Sequence, residues 1–272
     1  MIGRALAIAA ACLWAGLAGA QERPPHPPEP AQQDEAEGSS ARPPDKPDAP
    51  QDGAAPPEEQ ADAPDDAEVH GPPPPPRWYT LRETDQEYAA CRLALAVLGT
   101  VYREEPPLTD PDDRDCGIAR PIRVTRILPD LSVQGGAVMR CDTARALGFW
   151  VRDFLRPAAA TLPGAPRVTG LQPGSTYDCR ARVGTGKARP RLSEHALGNA
   201  IDIMGFTFQD ADPLRVAPRR DSGDRTEAFQ RAIRGAACLF FTTVLGPGAN
   251  AAHANHLHLD LADRRGGWRL CQ

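Results

Sequence analysis

The chain has 272 residues, 41% of them hydrophobic and 25% charged, and carries a net charge of −5 at neutral pH. That balance is remote from the dense basic surface of a nucleic-acid binder, and no segment, a brief N-terminal run included, is apolar for long enough to cross a bilayer. The 30 prolines and 7 cysteines stand out instead, and they divide the chain into unlike parts.

Residues 1–20 place Arg4 ahead of a short apolar run and end in Ala18-Gly19-Ala20. A positive start, a brief apolar stretch and a small-x-small cleavage site mark a secretory signal peptide. Cleavage after Ala20 is expected, with export across the inner membrane and no stable membrane insertion afterwards. Residues 21–77 hold 17 prolines and 14 acidic against 4 basic side chains, with no aromatic residue. Such a segment cannot bury enough apolar surface to offset the entropy of ordering. A disordered, acidic, proline-rich linker is therefore expected, ending in a polyproline II rod over 72–76. With the linker at −10, residues 78–272 are left at +4, a mild charge that suits an anionic polymer such as peptidoglycan.

Residues 78–272 suffice for one domain with a real core. Thr84, with Glu87 three residues on, forms a capping box. A helix follows to about residue 98, with Leu93, Leu95, Val97 and Leu98 as its apolar positions. Pro106 and Pro107 bar its continuation, and 109–115 is an acidic loop. Alternation over 122–128 predicts a strand. Ala144, Leu147, Trp150, Val151 and Phe154 mark one side of a helix over 141–155. Short strands are expected at 168–171 and 176–179 around the Pro173-Gly174 turn. A strand at 200–206, a helix at 226–238 and strands at 241–245 and 257–261 complete the set. Helices mixed with short strands, without regular βαβ units, predict an α+β domain whose small, mostly antiparallel sheet is flanked by helices.

Cys91, Cys116, Cys141, Cys179, Cys238 and Cys271 all fall in this domain, while Cys12 lies in the signal segment. An even number in an exported domain predicts three disulfides among fifteen possible pairings, with Cys271 stapling the C-terminal end. No two cysteines are spaced as CxxC, which argues against a cysteine metal site.

Histidine is scarce, yet three of the six fall in HANHLHLD, as His253, His256 and His258, and His195 stands in SEHALGNAID. Alternate residues of a strand share a face. His256, His258 and Asp260 then project together while Leu257, Leu259 and Leu261 face the core. In the earlier strand Ile201 and Ile203 take the core side and Asp202 the other, beside the small Ala200. Gly198 supplies a tight turn between His195 and that strand. Imidazole nitrogen and carboxylate oxygen are zinc donors, and catalytic zinc sites use three protein ligands. His195, Asp202 and one histidine of the HxH pair make such a set and leave the other histidine for proton transfer.

Ser193-x-His195-x-x-Gly198-x-Ala200-x-Asp202 followed by His256-x-His258 resembles the signature of a group of zinc peptidases. That group includes the D-Ala-D-Ala carboxypeptidases, VanX-type dipeptidases, lysostaphin-like endopeptidases and the hedgehog signalling domain. Over a wider span, YDCR, SEHALGNAIDIMGF, VLGPGAN and HANHLHLD resemble the bacterial extensin-like C-terminal domain family, across nearly all of 78–272. The resemblance implies zinc held by His195, Asp202 and His258, with His256 beside the attacking water. It implies further that Arg180 stabilises the carbonyl oxygen or a substrate carboxylate. The carboxypeptidase branch places a glutamate base shortly before its last ligand. HANHLH holds no acid there, so the base falls to His256, Asp260 or Glu194. Asp260 fits equally as an acceptor that orients a ligand imidazole.

The expected function is zinc-dependent hydrolysis of amide bonds in peptidoglycan stem peptides or cross-links, by a periplasmic and monomeric endopeptidase or carboxypeptidase. The alternative is a non-catalytic wall-peptide-binding module with a structural or vestigial zinc site. No GxSxG elbow offers a serine nucleophile, and no glycine-rich loop offers a phosphate site.

Overall fold

The computed structural model describes residues 72–183, 188, 190–219 and 222–272. The expected signal segment, and the linker as far as residue 71, lie outside the described residues. The chain enters the domain through Arg77–Thr80 (α1), a single helical turn. Contacts with the 110–116 loop fix its approach. The Arg77 amide donates to Asp115 Oδ1 at 3.0 Å, the Trp78 indole to the Arg114 carbonyl at 3.1 Å, and the Arg114 guanidinium to the Pro74 carbonyl at 2.7 Å.

Asp85–Leu98 (α2) starts on the capping box, with Thr84 Oγ1 accepting from the Glu87 amide and the Glu87 carboxylate accepting from the Thr84 amide. Its buried face is Tyr88, Cys91, Leu95 and Leu98. Leu93 and Val97, expected among the apolar contacts, are 67% and 70% exposed. At about 3.6 residues per turn they lie on the opposite side of the helix from Leu95.

Val101–Glu104 (β1), Leu108–Thr109 (β2) and Gly117–Ile118 (β3) precede the predicted strand, found as Pro121–Leu128 (β4). Leu131–Arg140 (β5) carries no clear strand signal because Gly135-Gly136 reads as a break. Both glycines adopt positive φ, 74° and 73°, and loop out of the β4–β5 pairing as a bulge within one strand. The helix expected over 141–155 is Cys141–Trp150 (α3), then a π turn over Val151–Leu155, then Arg156–Ala159 (α4). Val168–Pro173 (β6), Ala200–Phe208 (β7), Ala211–Arg215 (β8), Arg225–Ala237 (α5), Thr243–Leu245 (β9), Leu257–Asp260 (β10) and Leu270–Cys271 (β11) follow. Asp224 caps α5 by accepting from the Glu227 amide at 2.7 Å.

The strand expected at 176–179 is an irregular limb instead. After Asp202 donates its amide to the Ser175 carbonyl, the chain leaves β7 and pairs with the segment around 191–193. Ser193 N–H donates to Arg180 O and Arg182 N–H to Arg191 O, both at 2.9 Å. A neighbouring limb thus takes the backbone groups that a sheet would have taken.

Among the described residues nine strands form one sheet in the order β1-β4-β5-β6-β7-β10-β9-β11, with β8 also on β7. The β5–β6 and β9–β11 pairs are parallel, and the other pairs in this sheet are antiparallel. The α+β class with a mostly antiparallel sheet holds. Along β7, β10 pairs with residues 200–203 and β8 with residues between 205 and 208. The core contains Leu95, Leu147, Trp150, Phe206, Phe229 and Phe241, and the Trp150 indole donates to the Ile233 carbonyl at 2.9 Å, tying α3 to α5. Each such side chain contributes about 2 kcal/mol by leaving water.

The six cysteines form three disulfides. Cys91–Cys141 joins α2 to α3, Cys116–Cys179 ties the loop before β3 to the irregular limb, and Cys238–Cys271 ties the end of α5 to β11. Disulfides are the chemistry of an oxidising, extracytoplasmic compartment. Among the described residues no helix is long and apolar enough to cross a membrane. Cys91–Cys141 spans 50 residues of sequence. Replacing both cysteines by alanine should therefore lower the free energy of unfolding by about 4 kcal/mol. Urea unfolding under non-reducing conditions checks this, and an unchanged midpoint would contradict it.

Candidate metal centre

In the β7–β10 pair His258 stands directly opposite Asp202, and Asp260 opposite Ala200. Ile201, Ile203, Leu257 and Leu259 are fully buried in the core. Strand alternation therefore turns Asp202, His258 and Asp260 to the other face. His195 arrives from Glu194–Leu197, a 3-10 turn capped by Ser193 and ended by Gly198 at φ 63°. A Cβ on Gly198 would stand 2.3 Å from Ile118 Cδ1. Its carbonyl accepts from the Arg140 amide at 2.9 Å and the Thr143 hydroxyl at 3.0 Å. Both the backbone angle and that close approach demand glycine.

His195 Nε2, His258 Nδ1 and Asp202 Oδ1 meet at separations of 3.1, 2.9 and 3.2 Å. Outer hydrogen bonds decide which atoms carry protons. His195 Nδ1 lies 2.8 Å from the Thr176 carbonyl, which can only accept, so this nitrogen donates. His258 Nε2 lies 3.0 Å from Asp260 Oδ2 and donates to that carboxylate. In neutral rings this leaves lone pairs on His195 Nε2 and His258 Nδ1 aimed at each other and at Asp202. Such a cluster repels itself unless a cation, either a proton or a metal ion, joins it. These three residues could hold a metal ion. Asp113 with Cys116 and Cys179 also cluster, but their two sulfurs are bonded to each other.

Burial alone would raise the pKa of Asp202, yet its contacts with His195 and His258, when a proton lies between ring and carboxylate, hold it well below the usual carboxylate range. Burial would lower His258, but its bonds to Asp202 and Asp260 outweigh that and raise it to about 9. Asp260 is opposed by burial in the same way as Asp202, and the hydrogen bond from His258 leads the contacts that lower it.

His256 precedes β10, with Nε2 3.7 Å from Asp202 Oδ1 and Nδ1 2.9 Å from Asn255 Oδ1. Donation from Nδ1 to the amide oxygen leaves Nε2 as the open, basic nitrogen. Burial lowers its pKa, against the pull of Asp202. His253, to which the sequence assigns no role, is buried on the turn Ala251–His253. Its ring lies 5.2 Å from that of His256 and 5.6 Å from that of His258. Burial, then the charges of His258 and His256, lower its pKa to about 4. Its one signal in the sequence is the clustering of histidines.

Arg180 follows the disulfide-bonded Cys179 and donates from Nε to Asp178 Oδ2 at 2.7 Å. Glu194 is engaged elsewhere: Oε1 accepts from Arg182 at 2.6 Å and Oε2 from Asn199 at 2.8 Å. Asp260 sits behind His258 and also accepts from the Ala262 amide at 2.9 Å, the contacts of an outer partner. His195, Asp202, His258, His256, Arg180 and Asp260, the residues singled out from the sequence, all line one cavity of about 310 Å³.

The model of the family described as extensin-like protein C-terminus matches residues 89–272. No curated protein and no solved structure matches the chain.

A divalent ion entering the triad must displace the proton that His258 holds below about pH 9. Metal affinity should therefore weaken as pH falls, by about tenfold per unit for each proton displaced. Chelator-competition titrations between about pH 8 and about pH 6 check this, and an affinity independent of pH would contradict it.

Proposed function

The chain belongs to the extensin-like C-terminal family, and for this member we propose zinc-dependent hydrolysis of amide bonds in peptidoglycan peptides. The observation that carries this reading is the meeting of three metal-ligating atoms, His195 Nε2, Asp202 Oδ1 and His258 Nδ1, in the wall of an accessible cavity. Donors bound to a tetrahedral zinc at about 2.0–2.1 Å lie about 3.3 Å from one another. The separations of 3.1, 2.9 and 3.2 Å are close to that edge. Two imidazoles and a carboxylate are also zinc's usual donor types, and three protein ligands leave a fourth position open.

Bound there, zinc supplies the Lewis acidity that polarises the scissile carbonyl and prepares water for attack. His256, its Nδ1 held by Asn255, takes the proton of the attacking water on Nε2 and returns it to the leaving amine. Its lowered pKa keeps it in the basic form at neutral pH. Arg180 is a fixed cation for the negative charge that develops on the carbonyl oxygen, and its field already reaches His253 and His256. Asp260 keeps the His258 ring turned with Nδ1 inward. The signal segment, the disulfides and the mild positive charge of residues 78–272 support a periplasmic address and the anionic wall as the substrate.

The lack of an acid in HANHLH favours a second reading, in which the same zinc site serves a module that holds wall peptides without cutting them. Metal analysis and digestion of isolated sacculi separate the two. The wild type should carry one zinc and release muropeptides. His195→Ala and His258→Ala should lose both. His256→Ala should keep the zinc and lose cleavage by about 10²–10⁴-fold. Equal release by wild type and variants would overturn the enzyme reading, and zinc without turnover of any muropeptide would support the binding module.

A further inference from the structure

We propose that Arg264 is a substrate-binding residue, which anchors a carboxylate of the peptide one or two residues from the scissile amide. The inference deepens the hydrolysis reading and rests on it. Among the described residues three arginines line the cavity beside the triad, Arg180, Arg182 and Arg264. Arg180 is paired with Asp178, and Arg182 with Glu194. Arg264 meets no carboxylate among the described residues. Its Nη1 donates to the Thr242 carbonyl at 2.9 Å and its Nη2 to Thr243 Oγ1 at 2.6 Å. A guanidinium carries five N–H donors and stays charged, so most of its donors and its whole charge are left for a ligand.

The side chain is held in place before any ligand arrives. The Thr242 carbonyl that receives it also accepts from the Leu270 amide at 2.9 Å, which seats the arginine where β9 and β11 meet. Cys271, next along β11, is bonded to Cys238 at the end of α5. The guanidinium lies 5.1 Å from the centre of the Trp268 ring, whose face attracts a cation. Ordering such an arginine costs binding little.

Register gives the guanidinium a definite reach from the triad. Thr243 stands opposite Asp260, and Leu245 opposite His258, in the β9–β10 pair. Thr243 is therefore the diagonal neighbour of His258, about 7–8 Å away across the strands. Leu245 lines the cavity, as does Leu270, which stands opposite Thr243 on β11. The stretch from triad to arginine thus has an apolar wall, where charges attract more strongly than in open water. The limb that carries Arg180 lies on the β7 side, since the Ser175 carbonyl accepts from the Asp202 amide. A peptide whose scissile carbonyl sits between the triad and Arg180 extends toward Arg264. An extended residue covers about 3.3–3.6 Å and a hydrogen bond about 3 Å more. That reach sets a carboxylate one or two residues away against the guanidinium, whose planar fork matches its two oxygens.

The test uses the purified chain and synthetic stem peptides in three forms: with all carboxylates free, with the chain-terminal carboxylate amidated, and with the side-chain carboxylates amidated. In wild type one of the amidations should raise KM about 10–100-fold with kcat little changed, and the one that does so names the anchored group. Arg264→Gln should show the same rise with the free acid and no further effect of that amidation. Arg264→Lys keeps the charge without the paired donors and should fall between. Should Arg264→Gln fail to fold, Arg264→Lys decides, by a preference for the acid smaller than that of wild type. Binding of the same peptides, followed by calorimetry after zinc is chelated, needs no turnover and should show the same preference and its loss in Arg264→Gln. A wild type that cleaves none of the peptides would sink the hydrolysis reading, while the binding preference would still judge Arg264. Equal treatment of acid and amide by the wild type, or a preference that survives intact in the variants, would overturn the proposal.

Discussion

Two imidazoles and a carboxylate held lone pair to lone pair are unfavourable company unless positive charge lies among them, and much of the domain serves to keep them together. The pairing of β7 with β10 sets Asp202 beside His258 by register alone. The sharing of β7 by two partners lets one strand do two jobs. Its first part pairs with β10 beside the cavity, while its later part carries Phe206 into the core against Phe229. His195 comes from outside the sheet and needs the Gly198 turn to reach the same point.

That turn is held by a buried polar network. Glu83 accepts from Arg140, Arg140 donates to Asn199, Asn199 donates to Glu194, and Glu194 accepts from Arg182. Buried ion pairs contribute little net stability compared with apolar residues of equal size, because desolvation offsets the attraction. Their effect is directional: each donor is aimed at a particular acceptor, and losing a buried member would leave a charge or amide short of a partner in the interior. The arrangement that positions His195 is thus specified by hydrogen bonds, while the arrangement that positions Asp202 and His258 is specified by strand pairing.

Those two mechanisms differ in how they show in a sequence. The β10 segment is legible because leucines and histidines alternate at period two, and Leu257 and Leu259 are buried as that pattern requires. The triad is legible because histidine is scarce and its few copies gather. The cysteine pairing is not legible, since it depends on which elements fold side by side. The β5 strand is not legible, because Gly135-Gly136 within it marks a turn and a bulge equally well. Leu93 and Val97 mislead because hydrophobicity alone does not say which side of a helix faces the core.

Under the proposed hydrolysis, HANHLH could do without an acid as its base. A base beside a metal must stay unprotonated in a positive surrounding. A carboxylate does so readily, whereas an imidazole with an ordinary pKa is half-charged in mildly acidic surroundings. Here burial lowers the pKa of His256, and the positive charges of His258, His195 and Arg180 act in the same direction against Asp202. A divalent ion in the triad would replace the proton of His258 with a larger positive charge, and a nearby cation disfavours the imidazolium of His256. The neighbouring His253, lowered to about 4, adds no competing charge at neutral pH. With Asn255 holding Nδ1, the lone pair of Nε2 remains open toward Asp202. The environment secures for histidine the unprotonated state that a glutamate would have by its own chemistry.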